Sequence, residues 1–287
     1  MTGARFAAFV VAAAVVAAGP AWGRSKKPGG AAKAAAPKLP GIPAEKIEAL
    51  RALLLGDDDA AALEAAAALG ASSAPNASEL LGEALVAGAP PARAQAELDA
   101  LAKLAASPAG LADSAYDPIE IYTWHRSPEL RKRAVIALSA ARSSRAMPIF
   151  WDLLGDQVPE VRAAAAEALA AAHDIKARDR LFKLLKRGDE GIAGPLAALA
   201  TPDQVPQIAE LQGTVDDGLL ASVLGEYIKR NDVPDKLRVD VLRTISRLGG
   251  ASATTALVEY VASVPAKDDR PSKREAQKLL DERGSAP

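Results

Sequence analysis

The chain has 287 residues, a net charge of −1 and no cysteine. The lack of cysteine excludes disulfides, thiolate metal sites and cysteine nucleophiles, and two histidines are too few for a multi-histidine metal centre. A charge this close to zero gives no sign of nucleic-acid binding, since proteins that bind nucleic acid are normally basic. Alanine supplies 67 residues and aromatic residues only 4%, so the composition favours closely packed helices, and we expect an all-α protein that carries no cofactor.

The N-terminus has the features of an export signal. Arg5 precedes an uncharged apolar run over residues 6–18, and Ala21 and Gly23 place small residues where a signal peptidase cleaves. A helix of that run would be about 20 Å long, which is short of the roughly 30 Å hydrocarbon core of a membrane. We therefore expect residues 1–23 to be a cleaved signal peptide and the mature protein to be periplasmic or secreted, without a membrane span. An uncleaved N-terminal membrane anchor is the alternative.

Residues 24–43 differ in composition from the rest of the chain. They include five basic residues and four prolines but no acidic residue, and the prolines oppose a stable helix. We interpret this segment as a disordered, solvated linker. The alternative is a basic tether that binds an anionic surface of the cell envelope.

Apolar residues at helical spacing begin at residue 44. Over residues 44–106 they predict degenerate N-terminal helical repeats, with Pro91 in the first turn of one helix. Residues 107–127 break this rhythm and contain Pro118, so we expect an irregular junction there without a full pair of helices. The helical pattern then resumes with shorter and more regular spacing.

A short phrase, Pro-Glu-apolar-Arg, recurs after the junction. It occupies residues 128–131 and again, 31 residues later, residues 159–162. Degenerate copies lie at residues 234–238, where one residue is inserted, and at residues 271–274. Proline suits the first turn of a helix, because that position needs no backbone N–H. Copies that recur every 30–45 residues or so on helical segments predict a stacked-repeat architecture.

This phrase, with apolar residues four and seven positions after its arginine, resembles the second helix of a HEAT repeat. The resemblance is clear over about residues 127–187 and 230–283 and weak over 44–106 and 190–229, where the proline and arginine of the phrase are missing. It implies an α-solenoid of stacked antiparallel helical pairs, in which residues 128–283 form the C-terminal repeats and a polar terminal cap. It also implies that the aspartates and arginines of the phrase pair within and between repeats as a structural ladder. These residues are Asp156, Arg162, Asp232 and Arg238.

Aromatic side chains cluster in and just beyond the junction. The cluster predicts a patch that binds a protein or peptide partner, because Trp, Tyr and Arg contribute most to binding at interfaces. The alternative is that large side chains fill space where the helical rhythm fails. The candidate partner-binding residues are Tyr122, Trp124, His125, Arg126 and Trp151.

No motif in the sequence points to a particular enzymatic reaction. Phosphate-loop, dinucleotide, nucleophile-elbow and calcium-loop patterns are all missing. Glu120, Tyr122 and His125 could form an acid–base set, but no nucleophile motif accompanies them, and His173 at a predicted helix end is interpreted as structural. We therefore expect an exported, non-enzymatic scaffold for protein or peptide binding, with no catalytic residues. One alternative is a lyase-like enzyme, since some HEAT-like proteins resemble the chromophore lyases of phycobiliproteins. A second alternative is a small-ligand-binding protein. A nucleic-acid-binding solenoid is the least favoured alternative.

Overall fold

The structure, a computed structural model, describes residues 40–72 and 74–284. These residues form fifteen α-helices and three 3₁₀ helices and no β-sheet, which confirms the all-α prediction. The predicted signal peptide and most of the predicted linker lie outside the described residues. Among the helices that are described, none has both the length and the apolar character needed to cross a membrane.

The helices are short, and brief turns connect them. Three of the connections contain 3₁₀ helices, at Ser144–Ala146, Ile175–Ala177 and Glu190–Ile192. The α-helices in chain order are α1 (Ala44–Leu55), α2 (Asp59–Ala71), α3 (Ala77–Ala87), α4 (Pro91–Ala106), α5 (Asp113–Tyr122), α6 (Pro128–Ala140), α7 (Met147–Leu153), α8 (Pro159–Ala171), α9 (Arg178–Leu185), α10 (Ala193–Leu199), α11 (Gln204–Ala209), α12 (Asp217–Ile228), α13 (Asp235–Arg247), α14 (Gly250–Ser263) and α15 (Pro271–Gly284).

The helices stack in two layers. Each odd-numbered helix from α1 to α13 packs against the even-numbered helix that follows it. The even-numbered helices from α2 to α14 also contact one another in succession and so form one continuous layer. In the other layer, contacts between successive helices are extensive only at the two ends, among α1, α3 and α5 and between α13 and α15. This arrangement is the predicted α-solenoid.

One apolar core runs through the whole array, from Leu54 to Leu279. Small residues let the helices approach closely, since a Cβ atom added to Gly70 on α2 would lie 2.9 Å from the Cβ atom of Ala100 on α4. The N-terminal helices therefore join the rest of the array without a break in the core. The largest fully buried side chains are Tyr227, Tyr260 and Phe150.

Residues 107–127, predicted as an irregular junction without a full pair of helices, contain one helix, α5. Pro118 lies inside this helix and is buried, although a proline there removes one backbone hydrogen bond. The helix packs against α3 and α6 and buries Ile119 and Tyr122. We attribute its formation to this burial of apolar surface, which outweighs the lost bond. The pairing of α5 with α6 continues the rhythm of helical pairs.

The four copies of the Pro-Glu-apolar-Arg phrase do not occupy equivalent positions in the fold. The copies at residues 128–131 and 159–162 begin α6 and α8, in the even-numbered layer. The copies at residues 234–238 and 271–274 lie at the starts of α13 and α15, in the odd-numbered layer. The phrase favours a helix start, which both layers need, and so it cannot specify the layer.

Candidate functional site

Tyr122 lies at the C-terminal end of α5 and is buried. Its hydroxyl donates a hydrogen bond to the carbonyl oxygen of Leu85 at 3.2 Å, which ties α5 to α3. Its ring stacks on that of His125, with 5.5 Å between the ring centroids. Burial raises the pKa of Tyr122, and the nearby charge of Glu97 raises it further. Tyr122 therefore holds α5 in place and presents little surface to a partner.

Arg131 supports the turn that follows α5. Its Nη1 atom donates to the carbonyl oxygens of His125 at 2.9 Å and Arg126 at 3.3 Å. The Ser127 N–H donates to Nδ1 of His125 at 3.0 Å. The side chain of Arg126 is exposed. Of these two candidate residues, His125 is hydrogen-bonded within the turn through its ring, whereas Arg126 presents its guanidinium group to solvent.

The two tryptophans of the predicted patch have different surroundings. Trp124 is 64% exposed. Trp151, on α7, is half-buried, and its Nε1 atom donates to Oδ2 of Asp174 at 2.9 Å. That bond fastens α7 to the turn before α9. Trp151 therefore has a structural partner, and Trp124 is the more accessible of the two.

Two exposed apolar residues that the sequence analysis did not single out lie on α5 and on α3, the helix that packs against it. Ile121, three residues before Trp124, is 65% exposed, and Val86, near the end of α3, is 66% exposed. A groove of about 590 Å³ runs between these helices, with Val86 and Pro118 in its lining. We call Val86, Ile121 and Trp124, together with this groove, the α3–α5 surface. Helical periodicity would have pointed to Ile121 only if α5 itself had been predicted.

Arg131 and Asp156 form a bidentate ion pair that links successive pairs of helices. The Nε and Nη2 atoms of Arg131 donate to the two carboxylate oxygens, each at 2.8 Å. Oδ1 of Asp156 also accepts from the Val158 N–H at 2.8 Å. Burial alone would raise the pKa of Asp156, but the bonds from Arg131 and Val158 outweigh it and lower the pKa. The carboxylate of Asp156 is therefore fully bonded, and its partner is the arginine of the preceding copy of the phrase.

Arg162, in the next copy of the phrase, forms a similar ion pair with Asp189 but donates only one hydrogen bond to its carboxylate. Its Nη1 atom donates to the backbone carbonyl oxygen of Asp156 at 2.9 Å, so the expected contact between these residues does not involve the carboxylate. Its Nε atom donates to Oδ2 of Asp189 at 2.5 Å. Oδ1 of Asp189 is buried and has no hydrogen-bond partner within residues 40–72 and 74–284. Each arginine of this ladder therefore binds the aspartate of the next repeat, and the second pair leaves one carboxylate oxygen unbonded.

Residues 118–200, which span the end of α5 to α10 and contain both of these ion pairs, match the sequence profile of HEAT repeats. Over these residues the chain is similar to HEAT repeats, as the repeated phrase predicts. Among solved structures, the complex of CpcE and CpcF of phycocyanin lyase from Nostoc sp. PCC7120 is similar, at 19% identity and a TM-score of 0.45, over 86% of this chain and 99% of that chain. A designed armadillo repeat protein is similar at 18% identity and a TM-score of 0.33, over 82% of this chain and 98% of that chain. No protein of curated function matches the sequence.

Beyond the HEAT-matched residues, Asp232 and Arg238 do not form the expected direct pair. Asp232 pairs with Arg230 at 2.5 Å. Arg238 is buried and donates to the carbonyl oxygens of Ile228 at 3.0 Å and Arg230 at 2.6 Å. Arg238 lies in the first turn of α13, in the odd-numbered layer, where the end of α12 supplies carbonyl oxygens in place of a carboxylate. Both residues therefore support the turn between α12 and α13 without contacting each other's charged groups.

The acidic and histidine side chains of the described part of the chain do not gather into a metal site or an acid–base site. No group of three or more His, Asp or Glu side chains in that part could hold a metal ion. Glu120 forms an ion pair with Arg145 at 2.8 Å, and the hydroxyl of Tyr122 is bonded to the backbone. The geometry therefore does not assemble Glu120, Tyr122 and His125 into the acid–base set that the sequence allows.

Proposed function

We propose that this protein is an exported, non-enzymatic scaffold that binds a protein or peptide partner in the cell envelope. The α-solenoid fold supports an interaction role, because stacked helical pairs present an extended surface. The observation that carries the proposal is the α3–α5 surface, where Val86, Ile121 and Trp124 are 66%, 65% and 64% exposed. Because α3 and α5 pack side by side, we propose that these three side chains form one apolar surface, and exposed apolar surfaces of this kind mark interaction sites in soluble proteins.

The rim of the groove favours a particular kind of partner. Glu79 and Glu83 line it beside Val86. Glu83 is already paired with Arg51 at 2.9 Å, whereas Glu79 makes no ion pair with any described residue. We therefore propose a partner segment whose apolar side chains cover Val86, Ile121 and Trp124 and whose flanking lysine or arginine meets Glu79.

The test compares proteins retained by three forms of the full chain, each tagged at its C-terminus and recovered from a cell-envelope extract. The wild type is compared with Ile121→Ser/Trp124→Ala, which removes two anchors of the α3–α5 surface. Ile175→Ser is the matched control, because Ile175 is 61% exposed but lies outside this surface. Retained proteins are identified by mass spectrometry and then tested for direct binding to the purified chain.

The proposal requires a protein that the wild type and the control retain and the double variant loses. We expect the retained protein to bind the double variant about tenfold or more weakly than the wild type, since aromatic anchors contribute most of the binding free energy at interfaces. Equal retention by the double variant, or no retained protein at all, would contradict the proposal.

Trp124→Ala alone should leave the helical circular dichroism signal and Tm unchanged. A fall in Tm of several degrees would place the indole in the core and remove the basis of the site.

Export is a separate element of this proposal, and it rests on the sequence of residues 1–23. N-terminal sequencing of the chain recovered from fractionated cells tests it. A first residue of Arg24 in the periplasmic or secreted fraction is the expected result. A chain that begins at Met1 in the membrane fraction would favour the uncleaved anchor.

A further inference from the structure

A second cleft, also of about 590 Å³, opens where the turn between α7 and α8 meets the turn between α9 and α10. Its lining includes both members of the Arg162–Asp189 ion pair and the side chains of Arg180 and Arg187. It shares no lining residue with the groove of the α3–α5 surface. Any ligand it binds would therefore be separate from the partner proposed above.

Asp189 distinguishes this cleft from an ordinary gap between helices. Its side chain is only 3% exposed, and one carboxylate oxygen accepts from Arg162. The other oxygen, Oδ1, receives no hydrogen bond from the described residues. In the preceding ion pair, Oδ1 of Asp156 receives bonds from both Arg131 and Val158. Because a buried carboxylate oxygen without a donor is unfavourable, a ligand that donates a hydrogen bond to Oδ1 of Asp189 would be stabilised.

Two guanidinium groups in the same lining lack ion-pair partners. Arg180 and Arg187 are exposed, and neither forms a salt bridge with any residue that the structure describes. Glu160 and Glu190 also line the cleft. A ligand that combines one negative group with a neighbouring N–H donor suits this mixture of charges. A phosphate dianion suits it poorly, because Asp189 and the two glutamates would repel it.

We propose that this cleft binds the C-terminal end of a peptide. The terminal carboxylate binds Arg180 and Arg187 through charge-assisted hydrogen bonds. Oδ1 of Asp189, the oxygen that the protein itself leaves unbonded, is enclosed in this structure. The proposal therefore includes a turn of the Asp189 side chain toward the cleft, where Oδ1 accepts a hydrogen bond from the N–H of the last residue. The side chain of that residue packs against Pro159 and Leu184, which supply apolar lining.

The experiment uses N-acetyl-leucine as a probe, because it carries a terminal carboxylate, one adjacent N–H and an apolar side chain. N-acetyl-leucinamide is the matched control ligand, since it differs by the loss of the negative charge. Each is titrated into the ¹⁵N-labelled full chain while the amide resonances of Gly188 and Gly191, which line the cleft, are followed by NMR. We expect saturable shifts with N-acetyl-leucine and a Kd about tenfold or more weaker with the amide.

Two variants assign the effect to the arginines of the cleft. Arg180→Gln/Arg187→Gln should weaken the binding of N-acetyl-leucine about tenfold or more. Arg142→Gln/Arg247→Gln removes the same charge from exposed arginines elsewhere and should leave binding unchanged. The Ile121→Ser/Trp124→Ala variant should also bind the probe normally, so failure of this proposal is distinguishable from failure of the α3–α5 proposal.

Three results would overturn the proposal: equal affinity for the acid and the amide, no shift at Gly188 and Gly191, or unchanged binding by the variant that lacks Arg180 and Arg187. A stronger response to inorganic phosphate than to N-acetyl-leucine would overturn it as well. That result would show that the cleft selects for negative charge and does not need a donor for Asp189.

Discussion

Glu97 is a buried carboxyl group on α4, and its environment makes its charge unfavourable. The residue is 1% exposed, and its Oε2 atom has no hydrogen-bond partner in the described structure. Burial raises its pKa from 4.5 to about 7, while the charge of Arg93 acts in the opposite direction and only in part. The folded protein therefore favours the protonated, neutral form of Glu97 up to neutral pH.

This raised pKa makes stability depend on pH in a defined direction. Between the unfolded value of 4.5 and the folded value of about 7, the folded state binds more protons than the unfolded state. The contribution of Glu97 to the free energy of unfolding is therefore fully present below pH 4.5, falls as the pH rises, and is lost above about pH 7. The full span is on the order of 3 kcal/mol.

Glu97→Gln should remove this dependence, because glutamine keeps the shape of the side chain without the charge. We expect the variant to be more stable than the wild type at pH 8 and its free energy of unfolding to vary less between pH 4.5 and 7. Urea denaturation at a series of pH values measures this. Glu64→Gln, at an exposed position on α2, is the control and should keep the wild-type profile. Identical profiles for the wild type and Glu97→Gln would rule out the titration of Glu97.

His173 occupies a backbone conformation that suits glycine. Its φ is 54°, and Arg142, 31 residues earlier at the corresponding end of α6, has φ 51°. This left-handed conformation after a helix end disfavours residues with a Cβ atom. His173→Gly should therefore stabilise the protein by roughly 0.5–1 kcal/mol, seen as a higher urea midpoint. His173→Ala keeps the Cβ atom and should give no gain; equal gains for both variants would indicate that the imidazole, not the backbone, is responsible.

Helices that begin with proline could be predicted from the sequence, and α5 could not. α6 and α8 begin at Pro128 and Pro159, where the repeated phrase places them. The phrase works because it combines a favourable first helical residue with apolar residues at helical spacing. α5 contains Pro118, which argues against a helix when only local preferences are considered. Its burial against neighbouring helices reverses that preference, and burial is not visible in a single stretch of sequence.

The start of α15 illustrates how an element at the end of the array is held. Ser272 is fully buried, and its N–H donates to Oδ2 of Asp235 on α13 at 3.1 Å. Its hydroxyl bonds the hydroxyl of Tyr260 on α14 at 2.6 Å and also bonds the carboxylate of Asp235. One serine therefore joins the last three helices, in a repeat whose outer face the sequence analysis interpreted as a polar cap.

Ser272→Ala should loosen the last helix. The change leaves the Tyr260 hydroxyl and one oxygen of Asp235 without this partner, at a cost of about 1–3 kcal/mol. Hydrogen exchange should then accelerate in α15 before it does in α6 or α8. Ser263→Ala is the control, because Ser263 is exposed and bonds only the carbonyl oxygen of Tyr260. Unchanged exchange in α15 would show that apolar packing alone holds the helix.

At the scale of the whole molecule, the sequence predicts the type of architecture better than the sites on it. The repeated phrase and the alanine-rich composition are sufficient for a stacked helical array. The predicted patch contains both structural and accessible residues. Tyr122 and Trp151 are hydrogen-bonded within the protein, whereas Trp124 is exposed. Asp189 and Val86 became candidates only from the structure, since an unbonded carboxylate oxygen and an exposed apolar side chain depend on which helices lie beside them.

The two layers also differ in continuity, and this has a mechanical consequence. Even-numbered helices touch one another along the whole array, whereas successive odd-numbered helices between α5 and α13 make little direct contact. Polar side-chain bonds such as Trp151 to Asp174 and Arg145 to Glu120 still link neighbours in the odd-numbered layer. Bending that spreads these odd-numbered helices nevertheless separates less closely packed backbone than bending that spreads the even-numbered ones. We therefore expect the curvature of the solenoid to change more easily in that direction, and a partner that binds across several repeats would meet less resistance there.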